Sequence, residues 1–299
     1  VSDATVTMRA IVQDRYGSSD TWQLTDIGRP EINDHEVLLR VHAAGLDRGT
    51  WHEMTGRPYL MRIMGFGLRS PKNRVPGRAV GGTVAAVGAK VTRFTVGDEV
   101  FGVSRGAFAE YAAASEDKLA HKPSTLTFEQ AAAVPISATT ALQGLRLGRI
   151  EAGQKVLIIG ASGGVGTYAV QIAKSYGTEV TGVCSAAKTD LVRSLGADHT
   201  IDYATEGFVG GSRRYDLILD IAGNTSLRRL RRVLEPNGTL VIVGGENKGN
   251  LTGGFGRSLC APLVSWFVRP RLTMLASKEH HADLVSLTTA QIAALTTAQ

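Results

Sequence analysis

Lys155-Val-Leu-Ile-Ile-Gly160-Ala-Ser-Gly163-Gly164-Val-Gly166-Thr-Tyr-Ala-Val-Gln-Ile-Ala-Lys174 is the stretch that decides the fold. Val156 to Ile159 form a short apolar run, as a strand buried on both faces does. Glycines then turn the chain sharply. Beyond them Val165, Ala169, Ile172 and Tyr176 recur at helical spacing. Strand, glycine turn and helix start make a phosphate-binding device: glycine lets the backbone approach a pyrophosphate, and the free N–H groups of the first helical turn hold its charge. The pattern departs from strict G-x-G-x-x-G, because Ala161 stands at the first glycine position and glycine falls at 160, 163 and 166. Its strand-to-helix context is the one the motif requires. A dinucleotide is therefore expected to bind through Gly160, Ser162, Gly163, Gly164, Val165 and Gly166; a tight turn without a ligand is the alternative.

Outward from that stretch, apolar strands alternate with helical patterns. Strands are expected at Val156–Ile159, Val180–Cys184, His199–Tyr203, Leu217–Ile221 and Leu240–Val243, and helices at Gly166–Tyr176, Lys188–Leu195 and Ser226–Leu234. Such alternation predicts a doubly wound parallel sheet with its ligand at the C-terminal edge of the strands. Two further helices, Leu126–Ala133 and Ala138–Leu147, are expected ahead of it. From about Met8 to Lys122 the chain reads as mostly β, with strand-like Arg9–Gln13, Glu36–His42 and Gly82–Val87. Turn signals at Gly45, Gly56, Pro76-Gly77, Gly88, Gly97-Asp98 and Gly106 break it up, which predicts a small barrel or folded sheet. Leu227, Leu230 and Leu234 are the expected inner face of one helix. Arg228, Arg229, Arg231 and Arg232 around it read as a solvated face rather than a grip on an anion or RNA.

The chain's 299 residues fit two domains or one large one. Its 43% hydrophobic and 20% charged content is that of a soluble globular protein. A net charge of +6 favours anionic ligands by steering and does not by itself imply nucleic acid. Cys184 and Cys260 are the only cysteines, too few for a disulfide framework or a zinc knuckle, and the usage suits a reducing cytoplasm. No apolar run reaches membrane-span length and the N-terminus lacks a signal-peptide layout, so a cytoplasmic protein with no membrane partner is expected. Met8 opens the first expected strand, and Val1 to Thr7 read as an extension.

The end of the second parallel strand discriminates between nicotinamide cofactors. Enzymes preferring the unphosphorylated form place Asp or Glu there for the ribose hydroxyls. This chain reads Val183-Cys184-Ser185-Ala186-Ala187-Lys188, with no acid. Ser185 donates a hydrogen bond and Lys188 pairs with a 2′-phosphate in the reading that favours NADPH. Tyr203, at the end of the third strand, stands beside the adenine or the phosphate in the same reading. Lys188 as a plain surface lysine is the alternative.

These residues resemble the medium-chain dehydrogenase/reductase superfamily, and specifically its zinc-independent quinone oxidoreductase-like branch. The resemblance runs from about Met8 to Asp283. It rests on Glu36-Val-Leu-Leu-Arg-Val-His-Ala-Ala-Gly45, Val75-Pro-Gly-Arg-Ala-Val-Gly-Gly-Thr-Val-Ala-Ala-Val-Gly88, Val96-Gly-Asp-Glu-Val-Phe-Gly102, Ala131-Ala-Ala-Val-Pro-Ile-Ser-Ala-Thr-Thr-Ala-Leu142 and the glycine cluster. It implies an α/β architecture: a GroES-like mostly-β domain over residues 1–124, a Rossmann doubly wound parallel sheet over 125–277, and a cleft between them, with 278–299 returning to the first domain. It also implies NADPH-dependent hydride transfer to a quinone or activated alkene. A 2-enoyl-thioester reductase, or a cofactor-binding protein with a structural or RNA-binding role, are the alternatives. Metal-dependent relatives carry a cysteine just past the position of Gly45 and a four-cysteine loop. Here Leu46-Asp47-Arg48 follows and the loop is missing, so no metal is expected; His42, His52 and Asp47 lack thiolate partners and zinc spacing.

Carried over residue by residue, the resemblance implies that Thr140, Gly244, Gly245, Glu246 and Asn247 approach the nicotinamide end, and that Asn224 approaches the cofactor ribose. Asp47 stands where many relatives have an asparagine near the nicotinamide. Tyr59 matches a tyrosine that lines the substrate cleft and is the first candidate to hydrogen-bond the substrate oxygen, with Trp51 and His52 behind it; packing beside Pro58 is the alternative. Residues 60–74 read as a lid over the substrate or a plain surface loop. The family carries an acid where Arg78 stands, a change the sequence does not explain. Arg271-Leu-Thr-Met-Leu-Ala276 reads as a sixth strand at a sheet edge, an edge that relatives pair into a homodimer. The repeat Leu287-Thr-Thr-Ala-Gln and Leu295-Thr-Thr-Ala-Gln departs from the family and looks low-complexity or truncated.

Overall fold

The computed structural model describes residues 6–205, 207, 213–245, 249, 251, 253, 255–266 and 268–290. These divide into two compact units, one drawn from Val1–Ile136 with Glu279–Ala293 and the other from Ser137–Lys278. The boundary falls inside a helix.

The first unit is mostly β. Strands β1 (Thr7–Gln13) and β2 (Trp22–Gly28) pair antiparallel. After β3 (Glu36–Ala44) come helix α1 (Arg48–Thr55) and the short turn α2 (Tyr59–Met61). Strands β4 (Ala79–Val87), β5 (Glu99–Val103), β6 (Tyr111–Ser115) and β7 (Leu119–His121) complete an antiparallel sheet in the order β6-β3-β4-β5-β7. Its core gathers Val37, Leu39, Val80, Val84, Val100 and Leu119, inward-facing residues of alternating strands. Helix α3 (Phe128–Leu147) follows. Two helices were expected here, and the structure has one. Pro135 removes one backbone bond, but buried Ala131, Val134, Ala138, Ala141 and Leu145 give the helix enough apolar surface to run through it.

The second unit holds β8 (Lys155–Ile159), α4 (Gly164–Ser175), β9 (Glu179–Cys184), α5 (Thr189–Ser194), β10 (His199–Asp202), β11 (Tyr215–Asp220), α6 (Leu227–Arg232), β12 (Leu234–Ile242), α7 (Phe255–Ser265) and β13 (Arg271–Met274). The six strands form one parallel sheet in the order β10-β9-β8-β11-β12-β13. Winding reverses between β8 and β11, the switch point at which such sheets bind ligands. Leu157, Ile159, Ile218, Leu240 and Ile242 share its core with Leu230 of α6. The helix expected through Leu234 stops two residues earlier: Leu234 is already strand, opposite Tyr215, and the register slips before Thr239 meets Leu217. Strand β13 lies at the edge, as the sequence reading has it.

Helix α8 (His281–Ala290) belongs to the first unit and packs on β7 through a face that buries Leu284 and Leu287. Glu279, just ahead of it, takes the Arg78 guanidinium at 2.5 Å and Lys118 at 3.8 Å. That contact gives Arg78 a partner the sequence did not reveal.

Candidate cofactor and substrate sites

In the second unit the chain leaves β8 through Gly160 at φ +89° and enters α4 with Gly163 as its N-terminal flank. A β-carbon at Gly166 would collide with the carbonyl oxygen of Gly160 and with Ala161, so only glycine permits this turn. The helix begins at Gly164, two residues earlier than its apolar spacing predicts, which makes Gly164, Val165 and Gly166 its first turn. No side chain caps that turn, and Gly163 and Gly164 are exposed. Unpaired N–H groups at the positive end of a helix dipole, on a bare glycine crest, fit a pyrophosphate. Ser162 and Val165 flank the crest half-buried.

At the adjoining strand ends lie Ser185, Lys188 and Tyr203, the residues expected on the adenosine side. Asp202 pairs with Cys184 in register, and the N–H of Tyr203 donates to the Cys184 carbonyl at 3.2 Å. Ser185 follows at once, and Lys188 closes the turn Ala186–Lys188 with its N–H on the Ser185 carbonyl. Lys188 and Tyr203 are exposed, and Lys188 has no ion-pair partner among the described residues. Asp202, at the end of β10, spends its carboxylate on the N–H of Ala204 and the hydroxyl of Thr205. Burial pushes the Cys184 thiol up and leaves it a small core residue.

Across the switch point, the Ile221 and Ala222 N–H groups both donate to the Ile159 carbonyl, which sets the loop after β11 against the glycine turn. Gly223, at φ +72°, packs on Gly244 and Gly245 so closely that a β-carbon has no room. Asn224 is thereby exposed beside Gly244-Gly245. Glu246 and Asn247 lie outside the described residues. Thr140 is half-buried on α3, one turn beyond Ser137, whose hydroxyl would sit 3.1 Å from a β-carbon on Gly164. The structure therefore brings Thr140, the glycine crest, Asn224 and Gly244-Gly245 to one edge of one sheet.

The first unit carries Asp47 and Tyr59. Asp47 caps α1, with Oδ1 accepting the Thr50 N–H at 3.0 Å. Its Oδ2 and the Thr50 hydroxyl are both buried without a partner among the described residues. Such orphans need an outside partner, and Thr50, where many relatives have Asp, is not among the site residues expected from the sequence. Tyr59 is 40% exposed, its ring faced by Arg62 at 4.7 Å, and its hydroxyl has no partner among the described residues. Arg62 also covers Tyr16, and Tyr16 donates to the carbonyls of Phe66 and Gly67, which ties down the middle of the segment read as a lid. Trp51 stacks under Arg48, and His52 is held by the Arg57 carbonyl. Glu53, on the same helix, borders a cavity of about 390 Å³ with Arg78, Lys118, Met64 and Phe66. Burial pushes its carboxyl up, Arg78 offsets part of this, and Asp47 and Glu279 add to the rise.

A family model described as alcohol dehydrogenase GroES-like domain matches residues 33–124, and one described as zinc-binding dehydrogenase matches residues 164–263. A chloroplastic quinone-oxidoreductase of Triphysaria versicolor is 32% identical over 94% of this chain and 87% of that protein. The chain belongs to the quinone oxidoreductase-like branch of the medium-chain dehydrogenase/reductase superfamily. A chloroplastic NADPH-dependent alkenal/one oxidoreductase of Arabidopsis thaliana is 36% identical over 80% of this chain and 63% of its own length. The quinone oxidoreductase of Coxiella burnetii superposes with a TM-score of 0.83 at 28% identity, over 95% of this chain and 87% of that one. The chain spans a little under two thirds of the length of several curated relatives it matches. Membership and the glycine turn support a nicotinamide cofactor. Zinc, which the second family description names, does not fit the donors present. Among the described residues no three of His, Cys, Asp and Glu converge, and His42 is spent on Thr83 and stacked on Phe128. No described helix is long and apolar enough to cross a membrane.

Proposed function

We propose that this protein is an NADPH-dependent reductase of quinones or activated alkenes, acting without zinc and as a homodimer paired along the edge strand β13. The observation that carries the cofactor choice is the end of β9: Ser185 and the exposed Lys188 follow it, Tyr203 is tied to the Cys184 carbonyl beside them, and Asp202 is occupied in its own turn. A carboxylate facing the ribose would repel a 2′-phosphate, whereas Lys188 attracts it. The first turn of α4 holds the pyrophosphate, and Asn224, Gly244, Gly245 and Thr140 orient the nicotinamide end. A bound reduced nicotinamide supplies a hydride. When an enone accepts it at the β-carbon, negative charge grows on the carbonyl oxygen. The Tyr59 hydroxyl stabilises that charge by donating a hydrogen bond, and a proton from water completes the reduction.

The test is absorbance decay of NADPH and of NADH with a panel of quinones, enones and 2-enoyl thioesters. Oxidation of NADPH by quinones or enones, with Lys188→Ala lowering the preference for NADPH over NADH by about tenfold, supports the proposal. Turnover with enoyl thioesters alone moves the substrate class, and cofactor binding without turnover on any of the three refutes an enzyme of this kind.

A further inference from the structure

Asp220 ends β11 and is fully buried. Its Oδ1 accepts the Gly223 N–H at 3.0 Å, and its Oδ2 accepts Nη1 of Arg257 at 2.6 Å. Arg257 comes from α7, and its side chain is only 12% exposed. The same guanidinium donates to the Thr225 carbonyl and, through Nη2, to the Gly244 carbonyl at 3.4 Å. One planar cation therefore grips the end of β11, the loop after it and the loop after β12. Asn224 is bracketed by Gly223, held by Asp220, on one side and Thr225, held by Arg257, on the other. Gly244 is itself an anchor.

We infer that Arg257 is a positioning residue for the nicotinamide half of the cofactor site: its fork holds the Gly223–Thr225 and Gly244-Gly245 loops in register. A lysine would offer one point charge, whereas three acceptors in different directions need the guanidinium fork. Burying an ion pair seldom adds stability by itself, and Nε of Arg257 is buried without an acceptor among the described residues. The pair thus serves geometry. Burial pushes the Asp220 carboxyl up, and Arg257 and the Gly223 N–H work against that rise. The Ser185–Lys188 segment follows β9 and takes no bond from Arg257 among the described residues, so the adenosine half does not depend on the fork.

This inference rests on the proposed nucleotide site, and its experiment separates the two. NADPH and 2′,5′-ADP, which has only the adenosine half, are titrated calorimetrically into the wild type, Arg257→Lys, and the double variant Asp220→Asn/Arg257→Gln. The double variant removes both buried charges, so a folded protein remains to be tested if the single one fails to fold. Affinity for NADPH falls about tenfold or more in both variants, affinity for 2′,5′-ADP stays within twofold, and neither variant matches the wild type. Equal weakening of both ligands, or of neither, overturns the positioning role while leaving the nucleotide site standing. A wild type that binds neither ligand overturns the nucleotide site and the fork's role with it.

Discussion

Glu53 shows how one residue acquires chemistry from its surroundings. On the sequence it is an ordinary glutamate in a stretch read as mostly β. Folded, it faces a cavity beside Arg78 and shares its field with Asp47 and Glu279. Because its folded pKa lies above the unfolded value, its protonated form is favoured in the fold. Its contribution is fully present below the unfolded value near 4.3 and is lost as pH rises through the folded value. Glu53→Gln should therefore gain stability relative to the wild type at pH 7 and not at pH 4, read as denaturant midpoints at the two values. Equal differences at both would show that the carboxyl feels no burial. The residues of the glycine turn were legible in the sequence because only glycine meets their steric demand. Glu53, Thr50 and Arg257 were not, since burial and orphaned hydrogen-bonding groups exist only after packing.

At the scale of elements, α8 is instructive. The sequence reading offers no helix here and takes Leu287-Thr-Thr-Ala as part of a low-complexity repeat, yet the segment is helical and buries Leu284 and Leu287 where it packs on β7. The Arg78–Glu279 pair settles the approach of the segment. Arg78→Glu, which sets like charges against each other at a half-exposed site, should cost about 1 kcal/mol. Adding Glu279→Arg should recover most of it, a coupling that urea midpoints of the four proteins in the double-mutant cycle measure. A double variant no more stable than Arg78→Glu would mean the pair is incidental. Helix α3 teaches the same lesson: Pro135 is a local breaker, overridden because the surrounding apolar surface supplies more than the broken hydrogen bond takes away, whereas at Pro236-Asn237-Gly238 the ladder of β12 slips its register.

For the whole molecule, each unit stands on its own core. Ile218 is fully buried in the middle of β11, which hydrogen-bonds to β8 on one side and β12 on the other. Ile218→Ala should destabilise by about 2–5 kcal/mol in urea unfolding, since packed sheets do not collapse into a cavity of that size. A loss below 1 kcal/mol would contradict that packing. The parallel sheet, the glycine turn and the family were all written in the sequence. They depend on local periodicity and on glycine, and both survive without knowledge of any distant partner. What only the tertiary structure decided is which groups are left without partners and which are shared among strangers: the orphan oxygens at Asp47 and Thr50, the charge facing Glu53, and the arginine on α7 that ties two loops together. These depend on residues far apart in the chain arriving at one place, and burial, the physical quantity that gives them meaning, has no value until the chain is folded.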